Sequence, residues 1–442
     1  MGKSDFDVVI IGGGISGAAL LFLLSRYTDL PKIALLEKCS TIAALNSHGR
    51  NNSQTLHCGD IETNYTLEKA KLVRAAADMV LNYAIHFPYA TPFLYQFPKM
   101  VLGVGAAEGE ALRERYEQFK PHYLNMQWLD HAGIAAIEPN VAKQRQEPIT
   151  ALAVTNEFSA VNFQALADSF VARAQQSATQ EIALHLNTAV QQIHPLESGG
   201  YAVETASARL TARFVVVCAG AHSLLFAQRL GFGKEYACLP VAGSFYYTPK
   251  LLNGKVYTVQ NEKLPFAAIH GDPDILVEDK SRFGPTALIL PMLERYNYAT
   301  IPDFFRTFSL DRGVLKTLGD LVKEREVRNY MFKNILFEIP GVRRRLFLHD
   351  ARKIIPSLQL NDLTFASRIG GIRPVMVDKR SAKLHLGEAK INPGNGIIFN
   401  MTPSPGATSC LQNGERDMRT IADYLNCQVK EELLADELKS QS

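Results

Sequence analysis

The chain has 442 residues, 47% of them hydrophobic, and its 47 lysines and arginines nearly balance 44 aspartates and glutamates. This length supports two domains or one large domain with insertions, the apolar share supports a sizeable core, and a net charge of +3 gives no basis for nucleic acid as the main partner. The six cysteines form no CxxC pair and no zinc-like spacing, so they read as reduced cytosolic thiols and no metal site is expected.

Val8-Val9-Ile10-Ile11 predicts a strand, Gly12-Gly13-Gly14-Ile15-Ser16-Gly17 a glycine-rich turn, the apolar residues after it a helix, and Ile33-Ala34-Leu35-Leu36 a second strand ending at Glu37. Glycine clusters alone also make ordinary turns, but this order of strand, turn, helix and strand is a dinucleotide-binding βαβ unit. Gly12 permits the tight turn, Gly14 lets backbone N–H groups approach a pyrophosphate, Gly17 allows close helix packing, and the helix N-terminus favours negative charge. Glu37 stands where a carboxylate would bind an adenosine ribose. Residues 8–24 are apolar enough to raise membrane insertion; the glycines, Ser16 and Glu37 favour the soluble motif. Because the motif begins just after Met1-Gly2-Lys3, no cleaved signal or transit peptide is expected.

Residues 46–65 are too rich in Asn, Ser, His and Gly for a core element and read as a ligand-facing loop. Helical spacing follows over 67–87, with Glu68, Lys69 and Arg74 outward, and again over 108–119; both helices are expected to cover a substrate region. Gly103-Val104-Gly105-Ala106-Ala107-Glu108-Gly109 has its third glycine displaced and no βαβ unit after it, so it reads as a turn before a helix. Asn162 can cap a helix over 163–176. Short strands follow over 189–193 and 201–204, and residues 212–221 read as a buried parallel strand ending in Ala219 and Gly220. Alternation over 239–290 predicts an antiparallel sheet. A basic, mainly helical stretch covers 304–353, a strand, turn and helix cover 395–425, and the charged residues 430–442 read as a frayed tail.

Four separated segments resemble the FAD-dependent 2-hydroxyacid dehydrogenases and oxidases of the D-amino-acid-oxidase-like superfamily. The first is the Gly12 to Glu37 unit. The second, Asn52-Ser53-Gln54-Thr55-Leu56-His57-Cys58-Gly59-Asp60, is similar to an NSxxxHxG loop. The third joins Leu239-Pro240-Val241-Ala242-Gly243, Pro265-Phe266-Ala267-Ala268-Ile269-His270 and Gly284-Pro285-Thr286-Ala287. The fourth pairs Gly371-Ile372-Arg373-Pro374 with Ser404-Pro405-Gly406-Ala407-Thr408-Ser409. Ile61-Glu62-Thr63-Asn64-Tyr65-Thr66 and the stretch from Asn400 to Asn413 resemble the malate:quinone oxidoreductase family in its shorter bacterial branch. His270 and the Gly284 turn also look like the 2-hydroxyglutarate enzymes.

The resemblance implies an α/β fold, α+β overall: a Rossmann-type FAD-binding domain from 1–75, 150–230 and 370–425, interleaved with a substrate or membrane-facing domain from 76–149 and 231–369 on an antiparallel sheet with helices, then a tail over 426–442. It implies FAD held by Gly12, Gly14, Ile15, Ser16, Gly17, Glu37, Lys38, Asn52, Ser53, Ala219, Gly220, Ser404, Pro405, Gly406, Ala407 and Thr408. The Pro405 to Thr408 segment, followed by residues that can start a helix, would aim a helix N-terminus at the charge that gathers on reduced flavin. The implied reaction is oxidation of a small 2-hydroxy dicarboxylate, L-malate or L-2-hydroxyglutarate, with electrons passed to a membrane quinone. A non-catalytic flavin-binding redox sensor is the alternative of another class. No second dinucleotide unit is visible, which disfavours NAD(P).

Oxidising such an acid needs a base for the hydroxyl proton and cations for carboxylates. His57 or His270 is the candidate base, since imidazole titrates near neutral pH. Arg373 is the candidate for the substrate carboxylate, with His270, Arg50 and Arg282 as further substrate contacts. The segment 321–353, where Arg343-Arg344-Arg345 adjoins Leu346-Phe347-Leu348, could lie on an anionic bilayer or be a solvated face. The expected location is cytoplasmic, with peripheral attachment to the inner face of the cell membrane under the bilayer reading.

Overall fold

In the computed structural model, described for residues 4–260, 269–308, 312–385, 389–401 and 405–439, the first apolar run becomes the middle of a sheet. Strand β1 (Phe6–Ile11) lies parallel between β2 (Lys32–Leu36) and the strand Arg209–Val217, with Glu181–His185 beyond β2 and Ile397–Met401 beyond Arg209–Val217. Every residue of β1 is buried, as befits a parallel strand covered on both faces. Helix α1 (Ile15–Tyr27) is buried almost all round because Phe163–Gln175 and Cys410–Leu425 pack against it. Asn162 caps the first of these by accepting the Ala165 N–H at 3.2 Å, as its position predicts.

Two boundaries differ from the sequence reading. Helix α2 (Leu67–His86) is a single helix packed on Cys410–Leu425 and on a last helix, Glu431–Leu438, so a domain limit at residue 75 cuts through it. Residues 430–439 are also no frayed tail. Leu434 and Leu438 are buried in the core shared with α1, Glu437 accepts from the Tyr27 hydroxyl at 2.9 Å, and it pairs with Arg26. Apolar anchors at Leu434 and Leu438 hold the charged segment down.

The second half is built on an eight-stranded sheet running from Thr364–Phe365 through Tyr246–Pro249, Lys280–Gly284, His270–Pro273, Lys255–Thr258, Lys99–Val104 and Ile149–Val154 to Gln127–Leu129. It is antiparallel as predicted except where Lys255–Thr258 runs parallel to Lys99–Val104. The glycine-rich 103–109 segment is indeed a turn: Gly105 adopts φ +82° and the helix Ala106–Phe119 starts directly after it. A four-stranded sheet adjoins this half, with Tyr236–Ala242 antiparallel to Ile372–Asp378 and Val241 opposite Arg373. Four helices, Ile301–Thr307, Arg312–Lys323, Arg325–Leu336 and Arg343–Ala351, account for the basic stretch.

Candidate active site

A cavity of about 480 Å³ opens where β1 ends, and its walls come from both halves of the chain. Gly12 holds φ +105°, and a Cβ there would stand 2.5 Å from the Cys218 carbonyl oxygen. A Cβ on Gly17 would stand 2.0 Å from the Gly12 carbonyl oxygen, so α1 starts this close to β1 only because both positions are bare. Glu37 closes the cradle: its carboxylate accepts the Gly13 N–H at 2.7 Å and the Cys39 N–H at 2.8 Å.

Gly12, Gly14, Ile15, Ser16, Glu37, Lys38, Asn52, Ser53, Ala219, Gly220 and Pro405, Gly406, Ala407 and Thr408 all line this cavity, whereas Gly17 sits behind it as a packing residue. Ser404 lies outside the described residues. Lys38 is paired with Glu294, and burial lowers its pKa. Residues 405–409 form a turn in which the Thr408 N–H donates to the Pro405 carbonyl at 2.8 Å, and the helix begins only at Cys410. The helix therefore starts after this turn, in the strand, turn and helix order that the sequence predicts. The glycine cradle, the acidic ribose position and the helix N-terminus over one cavity fit the adenosine diphosphate part of FAD.

Sequence reasoning missed Ser47, whose hydroxyl accepts the Ile15 N–H at 3.0 Å, and residues 188–190, brought to the cavity by the Thr188 N–H donating to the Glu37 carbonyl at 2.8 Å. Neither lies in a motif, although the loop reading of 46–65 covered Ser47. Arg295 was also missed. It lines the cavity with only 4% of its side chain exposed and bonds Ser244 while lying 3.4 Å from Glu338.

His57 lines the same cavity. Its backbone N–H donates to the Thr408 hydroxyl at 3.1 Å, which ties its loop to the cofactor turn, and its Nδ1 lies 2.7 Å from Glu62 Oε1. Burial pushes the Glu62 carboxyl up, but the His57 bond and charge, with Lys99, hold its pKa below the ordinary range. Arg373 lines the cavity too and has no carboxylate partner among the described residues. Burial lowers its pKa, and its polar surroundings are the phenols of Tyr330, Tyr257 and Tyr65. A desolvated guanidinium without a counter-ion is a seat for an anion.

The other candidates sit elsewhere. His270 is 3% exposed, does not line the cavity, and stacks on Tyr257 with ring centroids 4.5 Å apart. Burial, with Lys255, Arg282, Arg373 and His57 around it, depresses its pKa far below the imidazole range, so it is a neutral ring inside a cationic cluster. Arg282 is fully buried between Asp272 and Asp274, 3.8 and 3.7 Å away, with its guanidinium over the Phe245 ring. Arg50 is exposed beside His48. As corrections to the sequence reading, none of these three reaches the cavity wall; the two aspartates consume Arg282, and solvent takes Arg50.

Cys58, Asp60 and Glu157 place one ligand atom each within 4.8 Å of the others. The Lys99 ammonium, 2.6 Å from Asp60 and 3.7 Å from Glu157, already supplies the cation there.

Residues 7–414 match the family described as FAD dependent oxidoreductase. The chain is 46% identical over 448 residues to a probable malate:quinone oxidoreductase of Campylobacter jejuni, covering 99% of this chain and all of that protein. It is 45% identical to a malate:quinone oxidoreductase of Helicobacter pylori, covering 95% of each. Among solved structures, glycine oxidase from Geobacillus kaustophilus shares the fold with a TM-score of 0.65 and 17% identity, covering 95% of both chains.

Proposed function

The chain belongs to the malate:quinone oxidoreductase family of FAD dependent oxidoreductases, and from that premise we propose that it oxidises L-malate to oxaloacetate and passes the electrons to a quinone. The observation that carries this reading is Arg373, a half-buried cavity-lining cation with no carboxylate partner among the described residues, on the same wall system as His57.

Arg373 binds one carboxylate of the acid through its planar fork and so fixes the substrate beside His57. His57, with Nδ1 turned to Glu62, accepts the hydroxyl proton at Nε2. Bound FAD supplies the acceptor for the hydride from C2. The proton leaves the oxygen as the C2–H bond pair leaves the carbon, and the alcohol becomes a ketone. Gly12, Gly14 and the N-terminus of α1 hold the pyrophosphate, Glu37 the ribose, and the 405–408 turn the ring portion. The phenols of Tyr65, Tyr257 and Tyr330 surround the Arg373 guanidinium without neutralising it, so it stays available to the substrate carboxylate.

No helix among the described residues is long and apolar enough to cross a membrane. We place the quinone-facing surface on the helices Ile301–Thr307, Arg312–Lys323 and Arg325–Leu336, where Phe305, Leu315, Phe332 and Ile335 are exposed. The Leu346-Phe347-Leu348 segment does not serve this purpose, as the expectation from sequence had it: Phe347 is fully buried in the second core and Arg343 covers the Phe365 ring.

The test is anaerobic bleaching of the flavin absorbance by L-malate and, separately, by L-2-hydroxyglutarate, followed by a soluble quinone. Bleaching by malate and recovery with quinone is expected. Bleaching by hydroxyglutarate alone moves the assignment to that acid, and bleaching by neither overturns the enzymatic reading in favour of a flavin-binding sensor.

A further inference from the structure

Three buried groups outside the cofactor cradle compete for explanation: the cationic cluster around His270, Arg295 with Glu338, and the carboxylate of Glu62. The last carries an inference furthest. Its side chain is 7% exposed, and apart from its own backbone N–H its one hydrogen-bonding partner among the described residues is His57 Nδ1, 2.7 Å away.

The loop that carries it is built to keep it there. Arg115, from the helix Ala106–Phe119, donates to the carbonyls of Gly59, Asp60, Glu62 and Tyr65 at 3.3, 3.4, 2.8 and 3.0 Å. One guanidinium thus clamps both flanks of Glu62 through the backbone and leaves its carboxylate untouched. Lys99 is bound to Asp60 at 2.6 Å and shared with Glu157, so it acts on Glu62 only through its charge. Glu62 is therefore a buried carboxylate whose direct side-chain partner is the His57 ring.

We infer that Glu62 is the positioning residue of the reaction: it fixes His57 in the tautomer whose Nδ1 carries hydrogen and whose Nε2 accepts the substrate proton. A carboxylate can only accept, so Nδ1 must donate and Nε2 is left with its lone pair. When Nε2 takes the proton, the imidazolium forms directly against the Glu62 carboxylate 2.7 Å away, and the pair becomes neutral. The stabilisation appears as the proton moves, which is where it speeds a reaction. This rests on the reading of His57 as base.

Glu62→Gln and Glu62→Asp, followed by anaerobic flavin reduction with L-malate, test it. The Gln variant should bind flavin at the parental ratio and reduce it about 10- to 100-fold more slowly at saturating malate, with half-saturating malate changed by less than about 3-fold. Glu62→Asp should recover part of the rate, and it tests the same split if the Gln variant does not fold. A limiting rate within about 2-fold of the parent, or a loss confined to half-saturation, overturns the inference. If malate fails to bleach the parent, the proposed function falls first; if His57→Gln reduces flavin at the parental rate, the choice of base falls, whatever Glu62 does.

Discussion

Tyr257 joins the two candidate histidines' surroundings: its ring stacks on His270 at an interplanar angle of 17°, and its hydroxyl meets the Thr55 hydroxyl at 2.8 Å, two residues before His57. One histidine stacks on this phenol and the other follows the residue bonded to its hydroxyl, but only His57 borders the cavity. His57→Gln should slow flavin reduction by malate about 100-fold or more. His270→Gln should leave that rate within about 3-fold and lower stability by about 1–2 kcal/mol through lost stacking and buried polar mismatch. Stopped-flow reduction and thermal melting of both variants separate the roles.

Arg373→Lys keeps the charge but loses the planar fork. Half-saturating malate is expected to rise about 10- to 100-fold, corresponding to about 1.5–3 kcal/mol for charged hydrogen bonds. Unchanged saturation would remove Arg373 from the substrate site.

Gly17→Ala sets a methyl group 2.0 Å from the Gly12 carbonyl oxygen, and backbone on both sides must move. The variant should purify with little flavin. Gly105→Ala meets nothing within 4 Å and should keep its flavin, losing about 1–3 kcal/mol of stability because φ +82° with ψ 171° is a conformation essentially only glycine adopts. The absorbance ratio of flavin to protein reads both.

His222 is buried near Lys38, which together depress its pKa to about 4 against 6.5 for a free imidazole; Asp303 opposes the shift and Arg229 adds to it, and the Glu294 carboxylate is 3.7 Å away. Since the folded value lies below the unfolded one, the unfolded chain binds the extra proton first. His222 therefore contributes stability that is present above pH 6.5 and is lost as pH falls towards 4. His222→Asn should flatten the melting curve in that window by about 1 kcal/mol, as measured by thermal melting across the two pH values.

Glu437→Ala should cost about 2 kcal/mol in denaturant unfolding, because it strips the buried Tyr27 hydroxyl of its acceptor and releases Arg26. An unchanged midpoint would mean that the last helix is held by Leu434 and Leu438 alone.

The cradle was legible in the sequence because its chemistry is local. Gly12, Gly14, Gly17 and Glu37 sit in one continuous unit whose spacing fixes their geometry. Arg373 and His57 were named through motifs, but their pairing states were not readable, since Glu62 and the three tyrosines act through folding. His270 and Arg282 misled for a physical reason: the strands His270–Pro273 and Lys280–Gly284 pair in the middle of the sheet and are buried on both faces, so their polar side chains pair within the protein instead of reaching the cavity. Asp272 and Asp274 absorb Arg282 in this way. The last helix escaped notice because its four acidic residues outweigh its three leucines in composition, while two of those leucines, Leu434 and Leu438, decide its docking.

The nucleotide sheet has a consequence for synthesis. Strand β1 is among the first residues made, yet its neighbour Arg209–Val217 gains its outer partner only when Ile397–Met401 appears, and the helix Cys410–Leu425 that covers α1 comes later still. From the synthesis of Val217 until residue 397 emerges, the growing chain carries Val215, Val216 and Val217 as an open apolar edge, the kind of segment on which chaperones act. A message truncated before residue 397 would therefore yield an aggregating fragment rather than a working half-protein.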